Sequence, residues 1–168
     1  MSMALVAMLL AFSRMANAEE IEAGRTKPFG LGIAAGFPPS ASLKIHADQR
    51  NTVVFHVGPT MTTSGLHIRA QYEQEAAELR AWDIGRLAFL WHVGVEANLI
   101  FGQASSVRPG IFAGVGVEFQ LVPAPVVLFA EAAPVVYPRD LVLSTQFLPV
   151  GLHLTGGGRF YFGKRRVR

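Results

Sequence analysis

Between residues 150 and 162 apolar and polar side chains alternate. Val150, Leu152, Leu154, Phe160 and Phe162 share one parity, and His153, Thr155, Arg159 and Tyr161 share the other. A period of two belongs to an extended strand, whose successive side chains point to opposite faces. The same pattern runs through residues 86–100, where Leu87, Phe89, Trp91, Val93, Val95, Ala97 and Leu99 face one way. It returns at 107–121, with Ile111, Ala113, Val115, Val117 and Phe119 against Arg108, Gly110, Gly114, Gly116, Glu118 and Gln120. Shorter alternating stretches fall at 29–37, 40–47, 52–60 and 65–74. A more uniformly apolar one at 126–137 carries Glu131, and the closing strand is read as 146–162. Eight strands joined in sequence predict an all-β protein, an eight-stranded antiparallel up-and-down β-barrel over residues 29–162.

Alternation by itself does not say which face looks inward. Three features put the polar face inside. It is rich in glycine, which suits a crowded lumen. It carries few Lys and Glu for a wet surface, and it holds all five histidines. The opposite face is bulky and unbroken, as lipid contact requires. The chain is 51% hydrophobic, yet past its first residues no run approaches the roughly 20 apolar residues of a membrane helix. The expectation is a transmembrane barrel; a soluble lipocalin-like barrel, with its charges outside, is the alternative.

An even strand number brings both ends of the barrel to one side, the periplasmic side on this reading. Phe29, Tyr72, Phe119, Phe160 and Phe162 then form an outward aromatic girdle at the periplasmic rim. Pro59, Pro109, Pro134 and Pro149 fall toward the other rim, where a missing ladder donor is better tolerated. The connection at 75–85 is long for that side. Its Glu75-Ala-Ala-Glu-Leu-Arg80 fits either a single helical turn or a continuation of the flanking strands.

Residues 4–12 are an apolar run too short to span a bilayer, followed by Ala16-Asn17-Ala18, a small-x-small cleavage pattern. Residues 1–18 are therefore expected to be a signal peptide, although Met1-Ser2-Met3 lacks a basic residue. Residues 19–28 would be an N-terminal periplasmic segment. Lys164, Arg165, Arg166 and Arg168 supply four of the fifteen basic residues, and without them the barrel is close to neutral. The 163–168 tail thus accounts for the basic balance, and no nucleic-acid partner is expected. Cysteine is absent, which excludes disulfides, thiolate catalysis and Cys-based metal sites.

With the strands placed, residues 30–44 (GLGIAAGFPPSASLK), 129–134 (FAEAAP) and 158–162 (GRFYF) resemble those of small outer-membrane β-barrel proteins of OmpA- and OmpX-like architecture. The resemblance covers residues 29–162 and rests on structural motifs. It implies a Gram-negative outer-membrane location, with outer-membrane lipid and the barrel-assembly machinery as partners, and it implies no reaction. The chain departs from the pattern by continuing past Phe162, where the assembly machinery reads a C-terminal aromatic.

The inward set contains Lys44, Arg69, Arg86, Arg108 and Arg159 against Glu73, Glu96, Glu118 and Glu131. Eight strands leave room for little besides side chains, so opposed charges are expected to pair and seal the lumen. Arg159 in particular should meet Glu131 or Glu118. The five histidines come from different strands with no tight ligand spacing, so no metal is expected and no cofactor. His153-Leu-Thr155 is faintly similar to the His-x-Ser of outer-membrane lipid A deacylases, but it points inward and Thr replaces Ser. Gly156-Gly157-Gly158 precedes no helix and is not a phosphate loop. The functional expectation is a monomeric, non-enzymatic barrel with a structural or surface-interaction role. The alternatives are a narrow pore, a lipid-modifying outer-membrane enzyme or a soluble carrier.

Overall fold

A computed structural model describes residues 27–48, 50–60, 64–81, 85–101, 106–121, 124–138 and 149–162. The expected signal peptide at 1–18, most of the expected 19–28 segment, the 163–168 tail and the first residues of the expected closing strand lie outside these. Eight strands form a closed barrel: β1 (Phe29–Gly36), β2 (Ser40–His46), β3 (Asn51–Pro59), β4 (Gly65–Ala81), β5 (Gly85–Ile100), β6 (Ser106–Leu121), β7 (Val126–Val136) and β8 (Val150–Phe162). Each pairs antiparallel with its neighbours in sequence, and β8 returns to β1 with Phe29 opposite Phe162.

The strands are staggered. Phe29 pairs with Ile45, Ile45 with Val53, Val53 with Tyr72, Tyr72 with Val93 and Val93 with Ala113. The remaining registers carry this row through Pro134 and Leu152 to Pro39, ten residues from its start. A slip of that size over eight strands tilts them by about 40° from the barrel axis. We call the end where β1 begins and β8 finishes the near rim, and the opposite end the far rim.

β4 and β5 run on past the near rim as a paired ribbon. Of the two conformations open to residues 75–85, the chain takes the extended one, as far as it is described. The register shifts between Glu75 and Ala77, after which Ala77 pairs with Phe89 and Leu79 with Leu87. Arg86 bridges this bulge by donating to both Glu75 and Glu78, which gives an extra residue in the strand a local reason to persist. Of the prolines, Pro59 ends β3 and Pro149 precedes β8. The β6–β7 ladder skips beside Pro134, between the Phe112–Val135 and Val115–Ala132 pairs, since proline has no N–H to donate.

Burial is inverted relative to a soluble domain. The large outward side chains are apolar, with Ile33 75% and Val115 64% exposed, whereas Lys44, Glu73, His92 and Arg159 are all at 1% or less. The interior is a stack of polar groups interleaved with rings. Three of these rings lie opposite their cross-strand glycines: Tyr161 faces Gly30, Phe112 faces Gly94 and Phe129 faces Gly157. A methyl group at those glycines would come within 2.9, 2.5 and 2.8 Å of the rings. Glycine on the inward face therefore clears floor space for aromatic side chains.

Candidate functional site: the polar lumen

The half of the lumen toward the near rim is a closed ion network whose charges come from five strands. Lys44 on β2 places Nζ 2.6 Å from Glu73 Oε2 on β4 and 2.7 Å from Glu118 Oε1 on β6. Arg159 on β8 donates from Nε to Ser42 Oγ at 2.9 Å, from Nη1 to Glu118 Oε1 at 2.6 Å and from Nη2 to Glu131 Oε1 at 3.2 Å. Arg69 on β4 reaches the other oxygen of Glu131, on β7, at 3.2 Å. Gln71 donates to both Glu73 and Glu131, and Thr52 donates to Glu73 at 3.3 Å.

Three cations thus meet three carboxylates, all shielded from solvent. Unpaired, each buried charge would cost several kcal/mol; paired and hydrogen-bonded, the set is neutral. Two guanidiniums also lie over aromatic faces, Arg159 at 3.7 Å from the Phe129 ring centre and Arg69 at 4.2 Å from that of Phe112, where the ring quadrupole favours a cation.

A second cluster sits nearer the far rim. His67 Nε2 on β4 and His153 Nε2 on β8 approach the same oxygen, Glu96 Oε2 on β5, at 3.4 and 3.2 Å. The other oxygen, Glu96 Oε1, accepts the Tyr137 hydroxyl at 2.7 Å and the Asn98 amide at 3.4 Å. The His67 and His153 ring centres are 5.7 Å apart, and His153 stacks on Phe112. Above them the Arg108 guanidinium lies 3.5 Å over the Tyr137 ring.

The nine expected lumen charges are therefore distributed over three levels. Six meet in the ion network and Glu96 anchors the histidine cluster. Arg108 caps Tyr137, and Arg86 stands at the near mouth with Glu75 and Glu78. A cavity of about 30 Å³ lies just inside that mouth, lined by Lys44, Thr52, Arg86, Glu118 and Tyr161 among others.

The five girdle residues all point outward. Phe29 stacks on Phe162 at 6.0 Å, and Phe119 and Phe160 share that rim. The stagger lifts Tyr72 roughly 9 Å higher, where it meets Trp91 edge-on at 5.7 Å and donates to Asn51. Strand parity places Ser42 and Gln71 on the inward face without naming their partners; Phe112, Phe129 and Tyr137 were passed over as lumen residues, although for the first two parity was the available signal. His153 and Thr155 point inward, as their parity implied. Ser40 Oγ lies 3.2 Å from His56 Nδ1, while His56 Nε2 has no hydrogen-bond partner among the described residues, so among those residues this Ser–His pair has no carboxylate to orient the histidine as a catalytic base requires. No family model matches the chain, and comparisons with curated proteins and with solved structures also return no match.

Proposed function

We propose that the chain is a small Gram-negative outer-membrane β-barrel with a sealed lumen, monomeric and without enzymatic activity, acting as a structural or surface-interaction element of that membrane. The observation that carries this reading is the inverted burial. A sheet closed on itself has no free edge, so lipid can surround it without leaving backbone groups unpaired. Its large outward residues are apolar on every strand, with polar Asn51 and Gln74 paired on that face toward the near rim, whereas Lys44, Arg69, Arg159 and their carboxylates are packed inside. The near rim, with its band of Phe, is assigned to the periplasmic interface, where aromatic rings are favoured.

Outer-membrane lipid is then the solvent of the outer face, and the barrel-assembly machinery the partner in insertion. The Lys44–Glu73–Glu118–Arg159–Glu131–Arg69 network supports a plug rather than a pore. Expression in a Gram-negative host followed by membrane fractionation tests the reading. Recovery with the outer membrane after alkaline washing is expected, and recovery as a soluble periplasmic protein would overturn it. Reconstitution in a planar bilayer should give no steady ion conductance; regular unitary openings would favour the narrow pore.

A further inference from the structure

We propose that His67, Glu96 and His153 form a binding site for a divalent transition-metal ion such as Zn²⁺. One ligand atom from each residue lies within 4.8 Å of the other two. The separations to Glu96 Oε2, 3.4 Å from His67 and 3.2 Å from His153, are long for charge-assisted hydrogen bonds. They match the edge of a tetrahedron: bonds of about 2.0–2.1 Å to an ion hold neighbouring ligand atoms about 3.3 Å apart.

Two imidazole nitrogens and a carboxylate oxygen select a borderline ion over Mg²⁺ or Ca²⁺, which prefer all-oxygen shells. The carboxylate is held from behind by Tyr137 and Asn98, the outer-shell support that metal-ligating carboxylates require. Three protein ligands leave a fourth position for water or an exogenous ligand. His153 is the most accessible of the three, at 7% exposure.

A second trio of comparable spacing, Glu73, His92 and Glu131, serves as an internal contrast. There the carboxylates are already neutralised by Lys44, Arg69 and Arg159, so an ion would add net charge to a balanced set. Among the described residues, the groups within hydrogen-bond or ion-pair distance of Glu96 are His67, His153, Tyr137 and Asn98; Arg69, opposite it in the ladder, is ion-paired to Glu131. Spacing along the chain hid the site because its ligands come from β4, β5 and β8, and only closure of the barrel, with β8 sealed onto β1, brings His153 across to the other two.

The test uses the full-length barrel refolded without metal and titrated with Zn²⁺ alone by calorimetry. One ion per chain is expected to bind at micromolar concentration. His67→Gln and His153→Gln should each weaken binding by at least about tenfold, and Tyr137→Phe by about tenfold or more at unchanged stoichiometry. His92→Gln should leave it unaltered. Co²⁺ added to the unmodified protein should give the intense visible absorption of a four-coordinate ion, a readout that needs no variant. Absence of saturable Zn²⁺ binding, binding that survives the double histidine substitution, or loss on His92→Gln would each overturn the proposal.

Discussion

Arg159 on β8 and Glu118 on β6 meet at 2.6 Å although β7 stands between their strands. The contact therefore crosses the lumen rather than running along the wall. The same guanidinium also reaches Glu131 on the adjacent strand and Ser42 on the far side of the β1 seam, so one side chain ties four strands together. Replacing it with Met leaves Glu118 sharing Lys44 with Glu73, and leaves Glu131 with Arg69.

Arg159→Met should destabilise the folded barrel by about 3–5 kcal/mol, the cost of breaking a buried ion pair from one side. Adding Glu118→Gln to it should cost less than the sum of the two single changes, because the partners share one interaction. Urea titration in lipid vesicles measures both; strictly additive costs would mean that the two residues do not interact.

An outward Arg should be costly in proportion to its depth. By the stagger of the strands, Val115 lies nearer mid-height than Leu152. Val115→Arg should cost about 2–4 kcal/mol, with a smaller loss for Leu152→Arg. At the inward neighbour Gly116 a methyl group would lie 3.1 Å from the Ala130 carbonyl oxygen and the Glu131 Cγ, a tight contact that a shift of a few tenths of an ångström relieves, so Gly116→Ala should cost less than Val115→Arg. A harmless Val115→Arg would reverse the assignment of the faces and return weight to a soluble barrel.

Gly30 and Tyr161 offer a compensation experiment. The three atoms nearest a methyl group on Gly30 all belong to the Tyr161 ring. Gly30→Ala should therefore destabilise by about 1–3 kcal/mol through overpacking, and Tyr161→Leu should relieve most of that penalty. At Gly32 the obstacle is the backbone carbonyl of Gly158, 2.0 Å from the added carbon, so no side-chain change should rescue Gly32→Ala. Thermal unfolding of the four variants checks the contrast, which fails if Tyr161→Leu does not help Gly30→Ala.

Trp91 should touch acyl chains. Its indole is outward-facing and 40% exposed beside Tyr72. In a Trp82→Phe background, its fluorescence should be blue-shifted in vesicles and quenched by lipids brominated along the acyl chain. Quenching by aqueous iodide instead would show that this face meets water.

Strand parity made most of this barrel legible. At β5, β6 and β8 the two faces differ so strongly that number, direction and approximate ends of the strands follow from alternation, and the crowded lumen follows from glycine on the polar face. The partners across the lumen were harder. Arg159 was expected to meet Glu131 or Glu118 and meets both, because the stagger brings β6 and β8 to the same height. The histidine cluster was not legible, since a period of two says nothing about which strands face one another through the interior. Phe112 and Phe129 were overlooked because an aromatic ring on a polar face reads as an exception until the cross-strand glycine that houses it is seen.

The seam between β1 and β8 joins the two ends of the barrel, so it is the one ladder that no hairpin can form. Until it closes, Arg159 cannot reach Ser42 and His153 cannot reach His67. An unfinished barrel therefore leaves the contacts across this seam unmade, and water must solvate the groups that would make them. The cost of dehydrating the lumen is thus deferred to a single late event, when the ion pairs and the last backbone ladder become available together. If the barrel enters a membrane as proposed, such an arrangement makes insertion directional in time: the open sheet stays wet within, and only the closed one can dry.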